Sequence, residues 1–93
     1  MISCDSGRCS VQGPLTMANV TGVLAEGAGL FQGSDVLVDL SGVTEVDSSA
    51  VSLLLEWRRQ AFAAKRRIVY VNLPSNLKSL ADLYGVSELL GAS

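Results

Sequence analysis

Hydrophobic and polar positions change their period along the chain, and the clearest change joins a buried run to a helical stripe. Val36-Leu37-Val38-Asp39-Leu40 is apolar and β-branched apart from Asp39, which predicts an inner strand covered on both faces. Ser41-Gly42 is expected to end it. After a short connector, Asp47, Ser48 and Ser49 all carry oxygens able to accept from the free N–H groups of a first helical turn, so a helix is expected to start there. Ala50, Leu53, Leu54, Trp57, Ala61 and Ala64 then fall on one face at about 100° per residue, a narrow stripe suited to a sheet. Val51, Leu55 and Phe62 widen that arc. The next ridge round, Ser48, Ser52, Leu55 and Arg59, is expected to be largely exposed, and a surface ridge with a leucine at its middle is a candidate contact face.

The flanking segments are shorter and weaker. Met1 to Cys4 and Arg8 to Gln12 predict a β-hairpin joined by Asp5-Ser6-Gly7, with Gly7 at positive φ. Gly13-Pro14 should break the pairing, because proline cannot donate to a ladder. Thr16 is the expected N-cap of a first helix with Met17, Val20, Thr21 and Leu24 on its stripe, joined by Val23 and Ala28. Gly22, Gly27 and Gly29 each cost it up to ~1 kcal/mol relative to Ala, so it is expected to be the loosest element. It fades near Leu30-Phe31 into a Gln32-Gly33-Ser34 turn. Arg67 to Asn72 predicts a second parallel strand. Pro74 and Ser75 open a third helix with Leu77, Leu80, Ala81 and Tyr84 in helical spacing, and Gly85 stops it. Val86, Leu89 and Leu90 fit either a short helix or an edge strand, and Gly91-Ala92-Ser93 is expected to fray. This order predicts an α/β fold, a mixed sheet of four or five strands with parallel inner strands and right-handed crossovers, packed with three or four helices.

At 93 residues the chain is read as one domain over 1–93, large enough for one core but not for a cofactor fold plus a substrate domain. Hydrophobic residues make up 48% and charged ones only 17%, a thin charge cover that points to some surface held by a partner. A net charge of −2 without a long basic tract argues against nucleic acid as a primary ligand. Lys65-Arg66-Arg67 with Arg58-Arg59 is read either as a match to a helix dipole or, for Arg58 or Arg59, as a docking contact. No run approaches the ~20 apolar residues of a membrane span. Met1 to Arg8 lacks the basic start and apolar core of a secretory signal. A cytoplasmic protein without direct membrane insertion is the expectation.

Candidate chemistry is sparse. There is no histidine, and Cys4 and Cys9 lie either side of the expected turn, so neither a zinc site nor a Cys-His nucleophile assembles in the usual ways. Both are read as small strand residues facing each other, since a disulfide would need an oxidising compartment that nothing else in the sequence indicates. Ser48 has no His or Lys beside it to remove its proton, and neither a GxGxxG nor a GxxxxGK loop occurs. No enzyme, cofactor or metal is expected. Two readings of Asp47-Ser48-Ser49 stand: plain helix capping, or an exposed hydroxyl serving as a docking or phosphorylation point, where free N–H groups and the helix dipole would welcome a phosphate.

Val38-Asp39-Leu40-Ser41 through Val46-Asp47-Ser48-Ser49-Ala50-Val51-Ser52-Leu53-Leu54 resembles the signature of STAS domains, the family of anti-sigma factor antagonists and of regulatory modules on transporters. The likeness spans nearly the whole chain. Leu53-Leu54-Leu55-Glu56-Trp57-Arg58-Arg59 and Leu80-Ala81-Asp82-Leu83-Tyr84-Gly85-Val86 most resemble the branch that supplies the STAS subunit of the lipid-asymmetry (Mla) phospholipid ABC transporter. The resemblance implies a STAS-like fold and a non-catalytic accessory subunit. Such a subunit binds the transporter's cytoplasmic ATPase, and through it the permease, at the inner membrane. Ser48 matches the position phosphorylated in anti-sigma antagonists and the hydroxyl at the ATPase contact in the transporter subunit. Ala50 stands where the family often has Gly, which favours the transporter branch. The expected partner face is Asp47, Ser48, Ser49, Ser52, Leu55 and Arg59, with Asp47 and Ser49 shaping the loop. The alternative is an anti-sigma factor antagonist switched at Ser48. Self-association of the lone chain through the partner face stays open.

Overall fold

The computed structural model describes residues 2–31 and 33–90. Met1 of the expected first strand, Gln32 of the expected turn and the expected frayed end Gly91-Ala92-Ser93 lie outside the described residues. The elements run β1 (Ile2–Asp5), β2 (Arg8–Leu15), α1 (Val20–Leu30), β3 (Asp35–Val46), α2 (Ser48–Ala63), β4 (Arg67–Val71) and α3 (Ser75–Leu83). The sheet order is β1-β2-β3-β4, with β1 antiparallel to β2 and the two remaining pairs parallel. This is the mixed α/β fold expected, with four strands and three helices among the described residues. Val86 to Leu90 forms a turn rather than a helix or an edge strand, and Leu90 enters the core.

The hairpin closes through Ser6 and Gly7, both at positive φ, as a two-residue turn matched to strand twist requires. It places Cys4 directly opposite Cys9 with Cα atoms 4.0 Å apart, and their sulfurs are bonded. The reading of these residues as separate thiols is thereby corrected: the short turn leaves them no other neighbour across the ladder.

Two expectations at the sheet fail, each for its own reason. Val36, Val38 and Leu40 are buried with Ile2, Cys9, Val11 and Tyr70 in a single cluster with the helices, whereas Leu37 and Val69 lie outside that cluster on the other face. All three helices therefore cover one side, and β3 is not sheathed on both faces. Nor does β3 end at Ser41-Gly42. Between Ser10 and Gln12 of β2 the paired residues of β3 advance from Asp39 to Gly42, and between Gly13 and Leu15 from Val43 to Val46. Each step carries one extra residue in β3, a bulge. The polar residues read as a strand stop build the first bulge: the Asp39 carboxylate accepts the Ser41 N–H at 2.9 Å, and the missing Cβ of Gly42 lets the Val11 carbonyl approach. Burial accordingly skips from Leu40 to Val43. Gly13 and Pro14 likewise stay within β2, because β1 reaches only as far as Val11 and leaves that side of proline without a strand to serve.

α1 starts three residues later than the Thr16 cap implied, with Asn19 in the cap position. Thr16 to Asn19 forms a turn in which the Asn19 side chain accepts the Thr16 N–H, and Met17 is exposed. On α2 the buried face is Ala50, Val51, Leu53, Leu54, Trp57 and Ala61, while Phe62 and Ala64, both expected on the apolar arc, face solvent. Trp57 is the largest fully buried side chain. Its indole N–H donates to the Leu24 carbonyl at 3.4 Å, and its ring meets Phe31 edge-on at 4.9 Å, which locks α2 to α1. Tyr70 donates to the Leu54 carbonyl at 2.7 Å and ties β4 to α2.

Candidate functional site

The amino end of α2 is set by Asp47. Its backbone is extended, and its carboxylate accepts the Ser49 N–H at 2.9 Å and the Ser49 hydroxyl, a side-chain N-cap. The second carboxylate oxygen accepts the Met17 N–H at 3.0 Å, thirty residues away in sequence, and the Asp47 N–H donates to the Leu15 carbonyl. One side chain thus fixes both the start of α2 and the loop entering α1. The Ser49 hydroxyl, followed by the Met17 N–H, holds the Asp47 carboxyl below the usual carboxylate value despite the opposing effect of burial.

With the cap supplied by Asp47, the hydroxyl of Ser48 is left unused. Ser48 is exposed, as is Ser52 one turn on. Together with Val51, Leu55 and Tyr84 they line an open groove of about 350 Å³ between α2 and the end of α3. Of the predicted site residues, Asp47 and Ser49 shape the loop, and Ser48, Ser52 and Arg59 face out as the ridge implied. Leu55 departs from that expectation. It is half-buried and packs against the core, so the groove sees its edge rather than a protruding leucine.

Arg59 lies beyond the groove, and its guanidinium grips Glu56 through two hydrogen bonds, Nε to Oε1 at 2.9 Å and Nη2 to Oε2. That pairing lowers the Glu56 carboxyl and raises the Arg59 guanidinium from their ordinary values. Arg59 is a partly committed cation, three residues along a helix from its counter-ion.

Tyr84 is the groove residue that sequence reasoning assigned to the α3 stripe. α3 ends at Leu83, and Tyr84, its C-cap, still donates its N–H to the Leu80 carbonyl but is 52% exposed, ahead of Gly85 at φ 71°. The glycine that stops α3 was the available signal. Among the described residues no cluster of three His, Cys, Asp or Glu side chains could hold a metal ion. No helix among them is long and apolar enough to cross a membrane.

A family model described as "Mlab, STAS domain" matches residues 2–91. No curated protein matches the chain. Among solved structures, the anti-sigma factor antagonist SpoIIAA in its unphosphorylated form is similar over 95% of this chain and 82% of its own, with a TM-score of 0.74 at 19% identity. A sulfate transporter family protein from Wolinella succinogenes is similar over 96% of this chain and 75% of its own, with a TM-score of 0.72 at 15% identity. The structure of Mglu is similar over 83% of this chain but only 20% of its own, with a TM-score of 0.64 at 21% identity. At these identities the likeness is one of fold.

Proposed function

Because the chain belongs to the STAS domain family, we propose that it is a non-catalytic accessory subunit that docks, through the amino end of α2, on the cytoplasmic ATPase of a phospholipid ABC transporter. The observation that carries this reading is the unspent Ser48 hydroxyl at the rim of a groove walled by Ser52, Leu55 and Tyr84. The site offers shape and hydrogen-bonding capacity, and the neighbouring Asp47 carboxylate is taken up by Ser49 and Met17. The family model's description, which names Mlab, supports the transporter branch. Asp47 and Ser49 hold the loop, Ser48 and Ser52 meet the partner, Leu55 and Tyr84 wall the groove, and Arg59 meets the partner beyond it. In this reading the protein sits at the inner membrane through the transporter complex.

The test is co-purification with the ATPase. Ser48→Glu together with Ser52→Arg, two exposed positions, is expected to abolish capture while the melting curve stays in place. Undiminished capture by that variant would remove this face from the assignment.

A second reading, an anti-sigma factor antagonist switched by phosphorylation, is favoured by the exposure of Ser48 beside the N–H groups of the first turn of α2. Under it, protein from the native cell carries one phosphate at Ser48 by mass spectrometry, and the partner captured is a kinase rather than an ATPase.

A further inference from the structure

The two edges of the sheet are built differently. β1 is four residues long, carries Ser3 and Asp5, and is bonded to β2 by a disulfide. Among the described residues β4 ends the order on the other side, and after Arg67 it reads Ile68, Val69, Tyr70 and Val71, with no charge, proline or bulge to discourage a further strand. In a parallel pair only alternate residues bond the neighbouring strand. The Arg67 N–H donates to the Ser34 carbonyl at 2.7 Å, which turns Arg67, Val69 and Val71 toward β3 and leaves the N–H and C=O of Ile68 and Tyr70 pointing outward.

The ground beside this edge is shaped and charged. Two clefts meet at Ile68. One, of about 170 Å³, is lined by Arg58, Phe62, Arg66, Arg67 and Ile68, and the other, of about 230 Å³, by Arg58, Ile68, Val69, Tyr70, Glu88, Leu89 and Leu90. Phe62 is 83% exposed and Leu89 is 46% exposed at their outer walls. Three arginines face a single carboxylate there. Neither Arg58 nor Arg67 forms an ion pair among the described residues, and Asp35, the cross-strand partner of Arg67, lies outside ion-pair distance.

We infer that the β4 edge accepts an extended, acidic segment of a partner protein as an added strand. Its backbone pairs with Ile68 and Tyr70, an apolar side chain enters the cleft at Leu89, and its carboxylates meet Arg58, Arg66 and Arg67. Main-chain pairing at an open edge supplies affinity, and the flanking side chains supply selectivity. A second copy of this chain fits less well, because antiparallel pairing of β4 with itself sets one Arg58 cluster against another. This surface lies apart from the Ser48 groove, so its occupancy is independent of the proposed docking there.

The probe is a blocked peptide of alternating Glu and Val, with an alternating Lys and Val peptide as its counterpart. Amide hydrogen exchange of the full chain is read residue by residue by NMR. With the Glu peptide, exchange at Ile68 and Tyr70 should slow by about tenfold or more while the amides of α1 stay unchanged, and the Lys peptide should have no effect. The double variant Arg58→Glu, Arg67→Glu, both exposed positions, should lose the Glu peptide and gain the Lys one. Unaltered exchange at Ile68 and Tyr70, equal protection by both peptides, or protection that instead follows protein concentration without peptide, the mark of self-pairing, would each overturn the inference.

Discussion

Gly27 of α1 lies against the indole of Trp57 in α2 so closely that a Cβ added to it would stand 2.6 Å from three atoms of the ring. The glycine read from sequence as a weak point of α1 is the place where the two helices touch. Trp57 also reaches the Leu24 carbonyl and Phe31 from there.

Gly27→Ala should therefore cost about 1–3 kcal/mol, because the added methyl forces the indole aside and outweighs any gain in helix propensity. Gly22→Ala and Gly29→Ala, where a Cβ meets nothing within 4 Å, should instead stabilise by up to about 1 kcal/mol. Chemical unfolding of the three variants separates the two effects. A stabilised Gly27→Ala would show that the helices do not meet there.

Tyr70→Phe removes the bond to the Leu54 carbonyl and should cost about 1 kcal/mol near neutral pH. Burial raises the phenol of Tyr70 well above its ordinary value of 10.0, against a smaller pull from Arg58. The neutral phenol is thus favoured by folding: its contribution is complete below pH 10.0 and is lost as pH rises beyond it. The stability gap between the native chain and Tyr70→Phe should narrow and then reverse in alkali, as thermal melts against pH would show.

Asp47 works in the opposite direction. Its carboxyl is lowered by the Ser49 hydroxyl and then by the Met17 N–H, so the ionised form is favoured by folding. The stability it confers is present above the ordinary value of 3.8 and is lost as pH falls below it through the folded value. Asp47→Asn should lower the melting temperature at neutral pH and flatten the decline in acid. Amides at Met17 and Ser49 should exchange faster in the variant, since both lose a charged acceptor. An unchanged acid limb would contradict this role.

The Cys4–Cys9 bridge closes a loop with a sequence separation of only 5, so reducing it should cost about 2 kcal/mol or less. β1 keeps its four paired residues either way, and Ile2 stays in the core. The fold should consequently survive in a reducing compartment, where the pair would be thiols. Unfolding curves with and without a dithiol reductant test this, and collapse of the whole domain on reduction would refute it.

The proposed partner face was legible as far as it depends on neighbours in sequence. Asp47 accepts from Ser49 two residues on, and Ser48 and Ser52 lie one turn apart, so capping rules and the helical period place all of them. Leu55 could not be placed this way, because an arc of a helix says which residues share a side but not how far a sheet and a third helix wrap round it. Tyr84 was lost for the same reason: helical spacing carries it onto the stripe, and its N–H keeps the helical bond to Leu80, yet it is 52% exposed at the C-cap of α3.

What the sequence determined by itself is therefore the local grammar: a hairpin turn with Gly7 at positive φ, the cap at Asp47, the stripe from Ala50 as far as Ala61 though not to Ala64, the stop at Gly85, and through the motif around Ser48 the family. Each rests on hydrogen bonds or contacts spanning a few residues. The tertiary structure decided which face of the sheet is covered, that Asp39-Ser41-Gly42 bulges a strand instead of ending it, that Gly27 makes room for Trp57, and that among the described residues one sheet edge is clasped while β4 forms the other. Those choices depend on which of several chemically similar surfaces meet. The partners lie about thirty residues apart, as Asp47 and Met17 do, where periodicity carries no information about who packs against whom.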